Sequence, residues 1–159
     1  MCSARCWISS GAVLAALAVA AGAFGAHGVD RYFVQKYGGL DDDKAQIETI
    51  AGQPVPKAKR YLEVFQTAAR YQMYHALGLI AVGLLGATGA KKSLQLAGWA
   101  FALGTVLFSG SLYVLTLTGI TAWGMVTPFG GLLFIVGWIA LAVAAAGGEC
   151  PRLPNQIAE

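Results

Sequence analysis

LQLAGWAFALGTVLFSGSLYVLTLTG, Leu94 to Gly119, is followed after Ile120-Thr121-Ala122 by WGMVTPFGGLLFIVGWIALAVAAAGG, Trp123 to Gly148, and neither stretch contains Asp, Glu, Lys or Arg. About 20 mostly apolar residues carry a helix across the ~30 Å of hydrocarbon in a bilayer, so each stretch suffices to cross. The short connection between them forces antiparallel neighbours. Working outward, Met73 to Ala90 and Trp7 to Ala26 lack the same four residue types, and Lys91-Lys92 opens a turn that makes the second and third stretches another hairpin. The composition agrees: 159 residues, 57% hydrophobic, 12% charged and a mean hydropathy of +0.60 leave too few polar side chains to coat a water-soluble globule. The expected fold is an all-α integral membrane protein of one domain. It is an antiparallel four-transmembrane-helix bundle with spans at about 7–26, 73–90, 94–119 and 123–148, and with an amphipathic interfacial helix before the second span.

The 21 glycines fit that solvent. In water they weaken helices, but between membrane helices they let backbones approach closely. Gly22 and Ala26, spaced with Ala18 along the first span, are candidate helix-packing positions, as are Gly104 in the third span and Gly130, Gly131 and Gly137 in the fourth. An alternative reading takes the first span as a secretory signal cleaved after Ala23; the Ala18, Gly22, Ala26 spacing favours a retained span.

Residues 28–72 form the long polar stretch. Asp41-Asp42-Asp43 is read as the cap of a short helix running through Ile47 and Ile50 and stopping at Gly52 before Pro54. The three aspartates lack the alternating spacing of a calcium loop. From Lys57 the pattern becomes amphipathic. Tyr61, Val64, Phe65, Ala68 and Gln72 share one helical side, and Lys59, Glu63, Gln66 and Arg70 the other. Such a helix suits the lipid interface, or docks on the bundle as a lid.

Alternation of the spans places the polar residues. The long loop defines one side of the membrane, the loop side; both termini and Lys91-Lys92 lie on the other. His27 ends the first span and His75 begins the second, and the third span brings Ser109, Ser111 and Tyr113 to the same leaflet, where Thr127-Pro128 opens the fourth. With Tyr71 and Gln72, these residues form a candidate polar cluster: His27, Tyr71, Gln72, His75, Ser109, Ser111, Tyr113 and Thr127. Buried polar groups are costly unless paired, so they imply a shared network or a shallow cavity. No metal is expected, because Cys2, Cys6 and Cys150 sit across the membrane from both histidines. Two imidazoles alone do not argue for haem, and no cofactor is expected. No catalytic residues are assigned, since no span holds an acid to orient a histidine; the chain reads as non-enzymatic. Pro128 frees a carbonyl near Gly124, which implies a kink or a locally opened first turn in the fourth span. Trp7 and Trp99 on one side, and Tyr71, Tyr74 and Trp123 on the other, match aromatic belts.

The net charge of +3 sits mostly beside the spans, which points to lipid headgroups as partners and away from nucleic acid. The loop side carries Arg31, Lys36, Lys44, Lys57, Lys59, Arg60 and Arg70, against Arg5, Lys91, Lys92 and Arg152 on the other. That bias puts the loop side in the cytoplasm and both termini outside.

Several ordered motifs carry a resemblance: GAFGAHG at 22–28, FQTA at 65–68 with YQMYHA at 71–76, LFSGSLY at 107–113, and TPFGG at 127–131. Together they resemble the small bacterial inner-membrane proteins known as domain of unknown function 423, whose animal relatives are called transmembrane protein 256. The resemblance runs from about Gly11 to Ala146. It implies a four-span protein of the cell inner membrane with its first span retained, and it supplies no activity or catalytic residues. Between Val29 and Arg60 this chain departs from it, with a longer, acidic and proline-bearing connection. Two functional expectations follow: an accessory or assembly protein that binds another membrane protein or a second copy of itself through small-residue helix sides, or a carrier for a small solute, proton or lipophilic cofactor that uses the polar cluster.

Overall fold

A computed structural model describes residues 4–38, 47–50, 52–87 and 92–147, apart from the side chains of Ala26 and His27. Its elements are α1 (Ala4–His27), α2 (Val29–Tyr37), strands β1 (Ile47–Ile50) and β2 (Gln53–Pro56), α3 (Lys57–Gly86), α4 (Lys92–Thr105), a π-helical turn (Val106–Gly110), α5 (Ser111–Thr118), a 3₁₀ turn (Thr121–Met125) and α6 (Thr127–Ala146).

α1 lies along α3, α6 lies along α4, and α3 against α4 joins the two pairs. Each pairing is antiparallel. Ala4, Gly11 and Gly25 meet Gly83, Ala76 and Phe65 in reverse order. Phe101, Gly104 and Phe108 likewise meet Gly137, Phe134 and Gly130. Glycines set these approaches. A Cβ on Gly83 would stand 2.5 Å from Ile8, one on Gly11 2.6 Å from the Ala76 carbonyl, and one on Gly137 2.6 Å from the Phe101 ring. Of the expected packing positions, Gly104 (2.7 Å from Phe134), Gly130 (2.5 Å from the Phe108 amide nitrogen) and Gly137 are closely covered. Gly131 makes only ordinary contact, at 3.9 Å from the Phe108 ring. Gly22 has nothing within 4 Å, so it packs no neighbouring helix within this chain. Gly11, Gly83 and Gly98 do pack, the last under the Trp7 ring.

Among the described residues, three helical segments are long and apolar enough to cross a membrane: Ala4–Gly25, Lys92–Thr118 and Thr121–Ala146. Their outward faces carry exposed Val13, Leu17, Phe24, Leu103, Ile135 and Ile139 among others, an apolar coat that water would not tolerate at this density.

The polar stretch departs from expectation. Residues 47–50 are a strand, not a helix; they pair antiparallel with 53–56, with Ile50 opposite Gln53 and Gly52 at φ +80°. The β-branched Ile47, Thr49 and Ile50 suit that hairpin. Asp41, Asp42 and Asp43 lie outside the described residues. α2 is an additional helix. Its Phe33 and Tyr37 are buried, with Tyr61 and Phe65 of α3, in a second aromatic core, so the apolar side of the amphipathic segment is covered by protein. That segment continues into the next without a break, as one helix of 30 residues. Pro128 occupies the first turn of α6, where a missing amide costs little. Where a kink or a locally opened first turn is expected, α6 runs as one helix from Thr127 to Ala146 and the irregular backbone lies just before it, in the 3₁₀ turn. The Lys92–Thr118 segment is interrupted by the π-turn.

Candidate functional site

The expected cluster resolves into separate bonded groups. The Gln72 amide donates from Nε2 to the Leu14 carbonyl of α1 at 2.9 Å, and its Oε1 accepts from the Tyr113 hydroxyl of α5 at 3.1 Å. One buried side chain thus ties three helices together. Ser109, buried within the π-turn, donates to the Ala68 carbonyl at 2.9 Å. Ser111 donates to the Phe108 carbonyl at 3.0 Å and lies 2.9 Å from the Thr127 hydroxyl, which links α5 to α6.

His75 stands apart from these groups in an aromatic box. Its ring stacks on Phe134 with centroids 3.3 Å apart, Phe101 and Trp138 approach it from α4 and α6, and Nδ1 lies 2.7 Å from the Tyr71 carbonyl. Tyr71 is exposed at its rim, stacked on Phe108. The His27 side chain is outside the described residues, so no pairing of the two histidines is on view. Among the described residues no three His, Cys, Asp or Glu side chains gather as metal ligands.

The structure adds two features toward the loop side. A groove of about 520 Å³ opens between α3, α5 and the start of α6, with Val64, Phe108, Leu112, Leu115 and Pro128 as apolar walls and Arg60, Thr121 and Thr127 as polar members. Arg60 also forms an ion pair with Glu48 of β1. Tyr61 lines the same groove, and its buried hydroxyl has no hydrogen-bond partner among the described residues. Burial raises the pKa of that phenol above its ordinary value. Beside it, Lys57 lies over the rings of Tyr37 and Tyr61, and Lys36 over those of Tyr32 and Tyr37. Lys36 also donates to the Tyr32 hydroxyl at 3.0 Å, and that bond raises its pKa. Sequence reasoning misses the groove because its walls come from five elements, α3, the π-turn, α5, the 3₁₀ turn and α6. The only local signal is Arg60 and Tyr61 at the head of an amphipathic stripe. A second groove of about 300 Å³ runs between α1 and α3, lined by Ala18, Gly22, Gln66, Ala69, Arg70 and Met73.

Residues 21–131 match the model of a family described as protein of unknown function (DUF423). The chain belongs to this family. All eight cluster residues and the whole larger groove fall within the matched segment. A UPF0382 membrane protein of Staphylococcus haemolyticus is 40% identical over 140 residues, 88% of this chain and 94% of that one. UPF0382 membrane protein YwdK of Bacillus subtilis is 41% identical over 142 residues, 89% and 96% of the two chains. No solved structure matches. With its apolar helices, this DUF423 member is a transmembrane protein, and the names of its relatives state no activity.

Proposed function

We propose that this DUF423 protein is a non-enzymatic, four-span protein of the cell inner membrane, an accessory or assembly factor that receives a helix of another membrane protein, or of a second copy, on its α1/α3 face. The observation that carries this reading is Gly22. Gly104, Gly130 and Gly137 are each pressed by a neighbouring helix, but Gly22 has nothing within 4 Å and opens with Ala18 onto the smaller groove. In hydrocarbon there is no hydrophobic drive between helices, so association relies on such close backbone approach.

A fourth crossing is supported by what α3 turns outward. From Tyr71 to Gly86 its exposed residues are Tyr71, Tyr74, Leu77, Leu84 and Leu85, while Gln72 and His75 are buried. At 30 residues the helix is about 45 Å long, more than the ~30 Å of hydrocarbon. Its first turns, with Lys57, Lys59 and Arg60, then stand at the headgroups. The excess of Lys and Arg on that side places it in the cytoplasm and both termini outside.

The carrier reading has less support: the polar atoms of Gln72, Ser109, Ser111 and Tyr113 already have partners within the chain. On a background with Cys2, Cys6 and Cys150 replaced by serine, single cysteines at the exposed Val19 and Gly22 in native membranes test the main reading. A disulfide-linked dimer, or a crosslink to one recurrent membrane protein, is the expected product, abolished by Gly22→Leu in a chain crosslinked from Val19→Cys. Recovery of monomer alone at both positions would reject the reading.

A further inference from the structure

We infer that the groove between α3, α5 and the start of α6 holds an anionic phospholipid, with its phosphate on Arg60 and one acyl chain between Val64, Leu112, Leu115 and Phe108. The groove is amphipathic along its length. Arg60 and Thr121 lie toward the loop side, where α3 begins and α5 ends, and Val64, Leu112 and then Phe108 follow one and two turns deeper, with Thr127, already bonded to Ser111, as the polar member at that depth. A volume of about 520 Å³ is in the range that holds a small-molecule ligand. An apolar slot in a bilayer fills with acyl chain, and the groove's polar members decide which lipid fills it.

Arg60 is the charged residue lining the groove. A guanidinium presents five donors in a planar fork that matches phosphate, and the ion pair with Glu48 is made through one terminal nitrogen, leaving donors to spare. Glu48 reaches one nitrogen of Arg60 from β1 but is not itself in the lining, which holds a cation and no carboxylate, so a headgroup with net negative charge is favoured over one whose amine cancels the phosphate.

Native mass spectrometry of the full-length protein, purified in detergent and offered equal amounts of phosphatidylglycerol and phosphatidylcholine with the same acyl chains, tests the assignment. The wild-type protein retains phosphatidylglycerol by about fivefold over phosphatidylcholine, the preference expected of one well-placed basic residue. Arg60→Gln brings the ratio close to one. Glu48→Gln breaks the same ion pair but keeps the guanidinium, and it leaves the preference intact. Leu112→Trp fills the slot and removes retention of both lipids; if that variant does not fold, Val64→Phe fills it from the facing helix. Millimolar inorganic phosphate leaves the bound lipid in place. Equal retention of the two lipids, an unchanged ratio in Arg60→Gln, loss of preference in Glu48→Gln, retention in a filled groove, or displacement by inorganic phosphate would each overturn the inference. It is independent of the helix-docking reading, because Gly22→Leu lies on another face and leaves lipid retention unchanged.

Discussion

Gly130 and Gly22 are the same residue in opposite surroundings, and one methyl group distinguishes them. A Cβ on Gly130 would meet the backbone of Phe108, which cannot swing aside, so Gly130→Ala should destabilise the protein by about 1–3 kcal/mol. Gly22→Ala meets nothing and should stay within about 0.5 kcal/mol of wild type. Reversible unfolding in mixed detergent measures both. The spacing of small residues is legible in sequence, but whether a neighbour covers them is a tertiary fact. Gln72 offers a second test. Its bond to Tyr113 should appear as a coupling of about 0.6 kcal/mol in a double-mutant cycle with Gln72→Leu and Tyr113→Phe, the average for interhelical hydrogen bonds in membranes. Tyr61 gives a pH test. Its folded pKa is raised above the ordinary 10.0, so folding keeps its full contribution below pH 10 and loses it as the pH climbs through the folded value. Tyr61→Phe should remove that part of the alkaline loss, as read from unfolding midpoints between pH 9 and 11.

At the scale of elements, the apolar segments and the amphipathic stripe of α3 were legible because 3.6-residue periodicity and run length report directly on burial. The hairpin was not. Asp41, Asp42 and Asp43 read as a helix cap, and that signal outweighed the β-branched Ile47, Thr49 and Ile50 beside Gly52. α2 escaped notice because nine residues hold only two turns of pattern. Its anchor is Phe33, fully buried against Tyr61 and Phe65. Phe33→Ala should release α2 alone, raising amide exchange at residues 29–37 while α4 and α6 stay protected, as exchange mass spectrometry would show. The π-turn was illegible for another reason: one extra residue in an apolar run leaves no mark in composition. It absorbs that residue so that Phe101 and Gly104 before it, Ser109 within it, and Tyr113 and Thr116 after it all face partners. Deleting Val106, which is 67% exposed, should therefore let the segment close as plain α-helix at little cost. Deleting Val114, inside α5, rotates Thr116 and all that follows by about 100° and should lower the melting temperature far more.

For the whole molecule, sequence reports the solvent better than it reports the count of crossings. Hydropathy averages over a helix, but a membrane sorts its faces. The described part of α3 falls below the three clearly apolar helices because Arg70, Gln72 and His75 dilute it, yet Gln72 and His75 are buried in the bundle and beyond Arg70 the exposed residues are tyrosines and leucines. If that inside-out arrangement makes α3 a span, the hairpin logic fixes the sidedness of every connection. On a background with Cys2, Cys6 and Cys150 replaced by serine, single cysteines at Lys59 and Thr118 should react with a membrane-impermeant maleimide from one side of the membrane. Those at Arg5 and Lys92 should react only from the other. In intact cells or right-side-out vesicles the second pair should react if the proposed orientation, with the positively biased residues 29–70 in the cytoplasm, holds. If α3 did not cross, Lys59 and Lys92 would share a compartment. The pattern of the four positions therefore decides the span count before it decides the orientation. Labelling of Lys59→Cys and Lys92→Cys from the same side would remove the fourth crossing, and with it the placement of Arg60 and the large groove at the cytoplasmic headgroups.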